Sequence, residues 1–241
     1  MNKIPATATI RALKASAYLN WACGLTFNGI VTLNFRAFGA TTEAEANQVL
    51  TAMNESVSDQ LARYCANWDT EFPYVFQYVH EDVPTSYGHH VHQLVCVPRG
   101  FGEFLNESLQ KWAWRNYRVP PEARATDYRG DYPFGVRNCL DQQTRLLRYV
   151  LKTSANATIA GANGVPTTLH AILQIDRHKR SYCAAVRKVA GCSQNLARKV
   201  QLMDNFQPRL LEDVFSDEHL RCWEGYKRAR DLHRQLAAIN C

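Results

Sequence analysis

The run YGHHVHQLVCVP (87–98) concentrates the residues best suited to chemistry in this chain. Alternate side chains of a strand share a face, so His90 and His92 project together while Val91 turns into the packing. Their imidazoles stand about 7 Å apart along a strand, close enough to converge on one metal ion. A lone histidine would ordinarily be a hydrogen-bonded core or surface residue. Two of them flanking an apolar residue argue for a shared metal ion. His89 has the opposite parity and is the weaker ligand. A third ligand must come from elsewhere, and the preceding strand-like run ends in His80-Glu81-Asp82. His80 and Glu81 face opposite sides of a regular strand, so only one of them can join. Glu81 is favoured, because a hard carboxylate with two imidazoles suits Mg2+ or Mn2+ and leaves positions for water and phosphate. His80 is the alternative. The H-E-x-x-H pattern of many zinc hydrolases is absent.

A second group lies in Thr144–Lys152, TRLLRYVLK. Leu140, Leu147 and Leu151 form an apolar stripe at helical spacing. At about 100° per residue Tyr149 lies roughly 160° from Leu147 and from Leu151, with Arg145 and Lys152 within about 60° of it. The helix therefore packs by its leucines and presents a tyrosine flanked by cations. A phenol titrates near pH 10 and is a poor nucleophile at neutrality. A neighbouring cation, or a metal polarising the phosphate under attack, removes much of that handicap. Without the histidine strand, Tyr149 would read as an interfacial residue between core and solvent.

The elements that must position these groups can be read along the chain. Residues 21–36, WACGLTFNGIVTLNFR, alternate apolar and polar, which predicts strand interrupted at Asn28-Gly29. Thr42-x-x-Glu45 is a capping box opening a helix with apolar positions Ala46, Val49, Leu50, Met53, Val57, Leu61 and Tyr64. The runs 72–81 and 89–98 predict a β-hairpin. Residues 101–117 predict a helix, with Phe101, Phe104/Leu105, Leu109 and Trp112 on one side, and 118–137 read as Pro-, Gly- and Tyr-rich loop. Residues 138–153 are helical, Asn163-Gly164-Val165-Pro166 breaks the chain, and the remainder reads as basic helix ending in 217–238. The order strand, helix, strand, strand, helix predicts an α+β fold, a central antiparallel sheet flanked by helices.

The 241 residues carry 28 Lys and Arg against 22 Asp and Glu. Residues 1–98 hold five basic and eight acidic side chains, net −3, so the remainder carries +9. A basic C-terminal half suits phosphate-backbone binding, where each contact releases a counterion. The alternative is a solvated helical face. With 46% hydrophobic and 11% aromatic residues the chain can build a core, which excludes a disordered protein. No apolar run is long enough for a membrane span or a secretory signal, and the expected protein is soluble and cytoplasmic, with no membrane partner. Eight scattered cysteines form no C-x-x-C pair, so neither a zinc ribbon nor a disulfide scaffold is expected. The absence of G-x-x-x-x-G-K-[ST] and G-x-G-x-x-G removes support for a nucleotide motor or a dinucleotide fold.

A strand bearing His90-Val91-His92 followed by a helix bearing Tyr149-x-x-Lys152 resembles the HUH endonuclease superfamily, nearest its single-tyrosine rolling-circle replication initiators. The resemblance spans about residues 21–155. It implies a ferredoxin/RRM-like sheet in a nuclease domain over 1–160, while the basic, mostly helical extension expected over 161–241 is read from its composition and matches no part of the family. It implies that His90, His92 and Glu81 hold Mg2+ or Mn2+, and that Tyr149 attacks a phosphodiester of single-stranded origin or hairpin DNA. The products would be a 5′-phosphotyrosine and a free 3′-hydroxyl, with Lys152 assisting at the phosphate or steering the tyrosine. The segment IVTLNFR (30–36) resembles the family's first motif. Position 153 is Thr, which implies a one-tyrosine mechanism, and no motor domain follows, which implies a host helicase. DNA would be held by Arg145, Arg187, Lys188, Arg198 and Lys199, while Trp112, Trp114 and Tyr117 are available for stacking but read first as core. The alternatives are a single-tyrosine transposase or relaxase, and a non-catalytic DNA-binding protein. The sequence leaves the oligomeric state open.

Overall fold

The computed structural model describes residues 3–83, 88–133, 135–160, 165–175 and 184–206. It is α+β, with a five-stranded antiparallel sheet in the order β4-β1-β3-β2-β7. The strands are β1 (Gly29–Asn34), β2 (Val75–Val83), β3 (Gly88–Cys96), β4 (Thr126–Gly130) and β7 (Ala190–Cys192). A separate hairpin joins β5 (Thr158–Ala160) to β6 (Pro166–Thr168). The helices are α1 (Ala6–Tyr18), α2 (Glu43–Ala66), α3 (Arg99–Tyr117), α4 (Val136–Val150), α5 (Leu169–Leu173) and α6 (Arg198–Met203).

The β2–β3 hairpin forms as its alternating sequence predicts, and β3 becomes the central strand. Val91, Leu94, Val95 and Cys96 of β3 are fully buried, which is what paired neighbours on both edges and helices on both faces demand. Helix α2 begins at the predicted capping box. The Thr42 hydroxyl accepts from the Glu45 amide while Glu45 accepts from the Thr42 amide, an arrangement worth about 1 kcal/mol. Its buried stripe of Ala46, Val49, Leu50, Met53, Val57 and Leu61 faces the sheet.

Parity divides the sheet's two faces between different helices. Gln77 projects toward α1, donating to the Ala12 carbonyl at 2.9 Å and the Ser16 hydroxyl at 2.9 Å. Gln93 projects the other way, donating to Asn54 of α2 at 2.7 Å. Helix α3 covers that second face, where Asn106 accepts from the Tyr128 amide. Helix α4 sits on the first face and is fixed by buried amides. Gln143 accepts from the Phe27 backbone at 3.0 Å and from Asn20 at 3.1 Å, and donates back to Asn20 at 2.8 Å. Buried polar groups need such complete pairing, and here it sets the height of α4 on the sheet.

Three sequence expectations are corrected. Residues 21–27 are not strand: α1 continues through a π-helical turn at Leu19–Cys23, which Gly24 ends at φ +62°. The alternation there marks one exposed ring, Trp21, beside a buried turn rather than a pleat. Within 118–137, Thr126–Gly130 is the edge strand β4. Gly29 and Gly130 leave room for the Tyr128 ring, which a Cβ at either would strike, so glycines that read as loop are the condition for the strand's packing. After residue 160 the chain is not simply basic helix. Ala190–Cys192 returns to the sheet beside β2, and the described residues end with the short α6. Residues 217–238 lie outside the described residues, as do Arg177, Lys179 and Arg180.

Candidate metal centre

The β2–β3 register sets Glu81 directly opposite His90. Directly paired residues point to the same side, so Glu81, His90 and His92 share the face under α4, and His80 goes to the other. Glu81 Oε2 lies 3.7 Å from His90 Nε2 and 3.7 Å from His92 Nε2. One ligand atom from each of the three lies within 4.8 Å of the others. All three side chains are buried.

The far side of each imidazole is engaged. His90 Nδ1 donates to the Gly88 carbonyl at 2.8 Å. A carbonyl only accepts, so in the neutral ring the proton sits on Nδ1 and Nε2 keeps its lone pair toward Glu81. His92 Nδ1 bonds the Thr32 hydroxyl across the β1–β3 pair at 3.0 Å. Such outer contacts orient the ring and its tautomer at metal sites. Burial, with the nearby His90 and Lys152, outweighs the Glu81 carboxylate and pushes His92 down to about 3, so it is neutral and able to ligate. Burial alone would raise Glu81, but the neighbouring imidazoles and the Lys152 ammonium hold it below the usual carboxylate range. One carboxylate and two lone-pair nitrogens, in a desolvated cluster, fit a divalent cation. The donor set does not specify which.

Tyr149 and Lys152 complete the cluster. The Leu147 and Leu151 side chains that oppose Tyr149 are fully buried and Leu140 nearly so, so the leucine stripe packs as its spacing predicts. Tyr149, 47% exposed, reaches His92 with its hydroxyl 3.3 Å from Nε2 and its ring centroid 5.0 Å from the imidazole. Lys152 Nζ lies 2.9 Å from Glu81 Oε1 and 4.0 Å from the centre of the Tyr149 ring. Helix α4 stops at Val150, and the following turn is pinned to the chain's start. Ile4 donates to Thr153 and accepts from Ala155, and Thr9 bonds Ser154. That turn swings Lys152 inward, giving the buried Glu81 charge the partner it needs.

The remaining expected site residues are distributed elsewhere. Arg145 is exposed on α4, donating to Gln142 at 2.8 Å and lying 3.8 Å from Asp131. Arg187 is exposed, its backbone amide bonded to the Glu43 carboxylate. Lys188 stands 5.9 Å from the Tyr78 ring, which parity assigns to the opposite sheet face from Glu81. Arg198 and Lys199 are exposed on α6. Trp112 is buried and packs with Phe38 and Tyr117, while Trp114 is exposed. Two contributors were not singled out from sequence: Thr32, which lies inside the 30–36 segment, and the Gly88 carbonyl. The i, i+2 spacing of His90 from Gly88 and a β1–β3 pairing are the signals that would have found them.

Among the described residues, no helix is long and apolar enough to cross a membrane. Compared with protein-family models, curated proteins and solved structures, this chain finds no match in any of the three.

Proposed function

We propose that this chain is a metal-dependent, single-tyrosine HUH-type endonuclease that nicks and rejoins single-stranded DNA, in the manner of rolling-circle initiators. The observation that carries the reading is the meeting of the Tyr149 hydroxyl with His92 Nε2 at 3.3 Å, beside Glu81, His90 and Lys152. These residues come from the middle of a strand, a hairpin partner and a helix more than fifty residues away. Packing alone requires none of them to be polar.

In this reading Glu81, His90 and His92 hold Mg2+ or Mn2+, which supplies Lewis-acid polarisation of a phosphoryl oxygen when bound. Tyr149 is half-exposed, so a phosphodiester can approach its hydroxyl from solvent while the ring stays oriented by His92 and Lys152. Attack of the phenolic oxygen forms the tyrosyl–phosphorus bond and breaks the phosphorus–O3′ bond. The phenolic proton ends on the departing 3′-oxygen, giving a 5′-phosphotyrosine and a 3′-hydroxyl. Because one phosphodiester is exchanged for another, the 3′-hydroxyl of the same or another strand can reverse the step without ATP. Lys152 Nζ stands 4.0 Å from the centre of the Tyr149 ring, beside the nucleophile, where its ammonium can meet a non-bridging phosphate oxygen.

Incubation with labelled single-stranded DNA and Mn2+ tests the proposal. A covalent protein–DNA adduct is expected, resistant to denaturant and absent in Tyr149→Phe, with DNA affinity retained in that variant. Binding to many sequences with no adduct would leave a non-catalytic DNA-binding protein. An adduct persisting in Tyr149→Phe would assign the nucleophile elsewhere.

A further inference from the structure

The helices on the sheet's other face build a groove that the nuclease site does not use. Ser56, Gln60 and Arg63 recur along one stripe of α2, and Ser108, Lys111 and Arg115 along one stripe of α3. Spacings of three, four and seven keep each set on one side of its helix. Together they line a cleft of roughly 350 Å³ that contains no acidic side chain. The apolar residues next to these stripes, Val57 and Leu61 on α2 and Leu105 and Leu109 on α3, are buried against the sheet. The small, half-buried serines of the two stripes leave the cleft open between the helices.

The cations here are held only loosely by the protein itself. Lys111 pairs with Glu107 one turn away, both side chains being more than half exposed, a contact worth only a few tenths of a kcal/mol. Arg63 Nε donates to the Asp59 carbonyl of its own helix. Gln60 bonds Ser56 at 3.0 Å, giving the floor a hydroxyl and an amide. Two guanidinium groups and an ammonium facing one cleft from two helices repel one another unless an anion lies between them. Planar N–H forks beside hydroxyl donors are the chemistry of phosphate recognition. Arg63 is one of only five basic side chains in the N-terminal 98 residues, which are net acidic, and it faces the same cleft as Lys111 and Arg115.

We infer that the α2–α3 groove binds phosphate groups of a nucleic-acid backbone, at a place separate from the tyrosine. Assigning the occupant as DNA rests on the nuclease reading; the phosphate chemistry does not. The groove lies behind the sheet face that bears Gln93 and Tyr128, whereas Glu81, His90 and His92 project from the face under α4. DNA held here is therefore flanking strand rather than the scissile segment.

The test uses the full chain carrying Arg63→Gln, Lys111→Gln and Arg115→Gln, all at exposed positions, with thermal unfolding as the check on folding. Binding of a long labelled single-stranded oligonucleotide is measured over a range of salt. Three lost phosphate contacts on a single strand should reduce the slope of log affinity against log salt by about 2. Adduct formation at Tyr149 on a short oligonucleotide should be unchanged. An unchanged slope in a folded variant overturns the inference, and if the triple variant unfolds, Arg115→Glu alone reads the same slope. ATP is the second probe. If ATP displaces DNA from the wild type and its own binding vanishes in the variant, the groove is a free-nucleotide site and the backbone assignment falls. If the wild type forms no adduct but the variant still loses slope, the groove stands and the nuclease reading fails.

Discussion

The β2–β3 hairpin carries two histidine pairs back to back, alike in burial and unlike in what surrounds them. His90 and His92 face α4, their rings 4.9 Å apart, among a carboxylate, an ammonium and a phenol. His80 and His89 face the other way. Their nitrogens meet at 3.0 Å, and both rings pack on Phe35, with Tyr78 edge-on to His80. Both pairs are largely buried in the same two strands. His80 is also pushed down to about 3, first by burial and then by His89 and His90, and His89 is lowered chiefly by burial. Burial is therefore common to both pairs, and each contains an imidazole with a depressed titration, His92 in one and His80 in the other. What separates them is convergence: His90 and His92 meet the buried Glu81 within ligand distance, whereas His80 and His89 pack on Phe35 and Asp82, opposite His89, is only half-buried. A perturbed histidine marks a functional site only when a second ligand converges with it.

The largest expected break in this comparison is in metal binding. His90→Ala or His92→Ala should weaken Mn2+ binding by about 100-fold or more, since loss of outer-shell partners alone typically costs 10–100-fold. His80→Phe, which replaces one ring by another beside Phe35, should leave Mn2+ affinity within about twofold. Calorimetric titration of the three variants checks this. Equal losses in all three would mean that the hairpin's fold, rather than a ligand set, is being measured.

How much of that contrast was legible in the sequence follows from period and distance. Strand parity separated His90 and His92 from His89, and Glu81 from His80, because a period of two admits no drift within a hairpin. Helical spacing placed Tyr149 opposite its leucines for the same reason. The ion pair of Lys152 with Glu81 was not legible. It depends on α4 ending at Val150 and on a turn tied to Ile4 and Thr9, more than half the chain length away. Strand β4 was hidden because five residues with two exposed at one end carry too little alternation, and its one glycine, Gly130, serves the Tyr128 ring. Strand β7, three residues long, has no pattern of its own and is defined only by the edge of β2 it completes. The π-helical turn after α1 mimicked a strand because a widened turn resets the phase of apolar positions. The sequence thus exposed the parts of the site that lie on regular elements and concealed those delivered by turns.

Acid sharpens the comparison from a second side. In the metal-free protein His80 and His92 both titrate near 3 when folded, against about 6.5 when unfolded. Between those values the unfolded chain binds more protons, so stability falls as pH drops from about 6.5 toward 3, each group adding up to about 1.4 kcal/mol per pH unit. His80→Phe should remove one such increment from the slope of unfolding free energy against pH. Saturating Mn2+ should steepen the acid loss of the remaining stability, because protons compete for its ligands. Chemical denaturation at several pH values measures both. A slope unchanged by His80→Phe would place that ring's proton uptake outside the folding equilibrium.

The smallest effect concerns the one charge that both readings of the site share. Lys152 Nζ at 2.9 Å from Glu81 Oε1 neutralises the carboxylate that a divalent ion also needs. Opposing cations at a partly buried site raise each other's free energy, by roughly 1 kcal/mol where water still screens them. Lys152→Met keeps the length of the side chain and removes its charge. It should therefore tighten Mn2+ binding a few-fold while lowering the yield of Tyr149 adduct, since the ammonium is no longer available to the phosphate. The opposite signs of the two readouts distinguish this from simple damage, which would weaken both. No comparable gain is expected from any change at His89, whose cross-strand partner Asp82 belongs to no cluster of converging ligands among the described residues. Weaker Mn2+ binding in Lys152→Met would show that the ammonium holds Glu81 in place for the metal rather than competing with it.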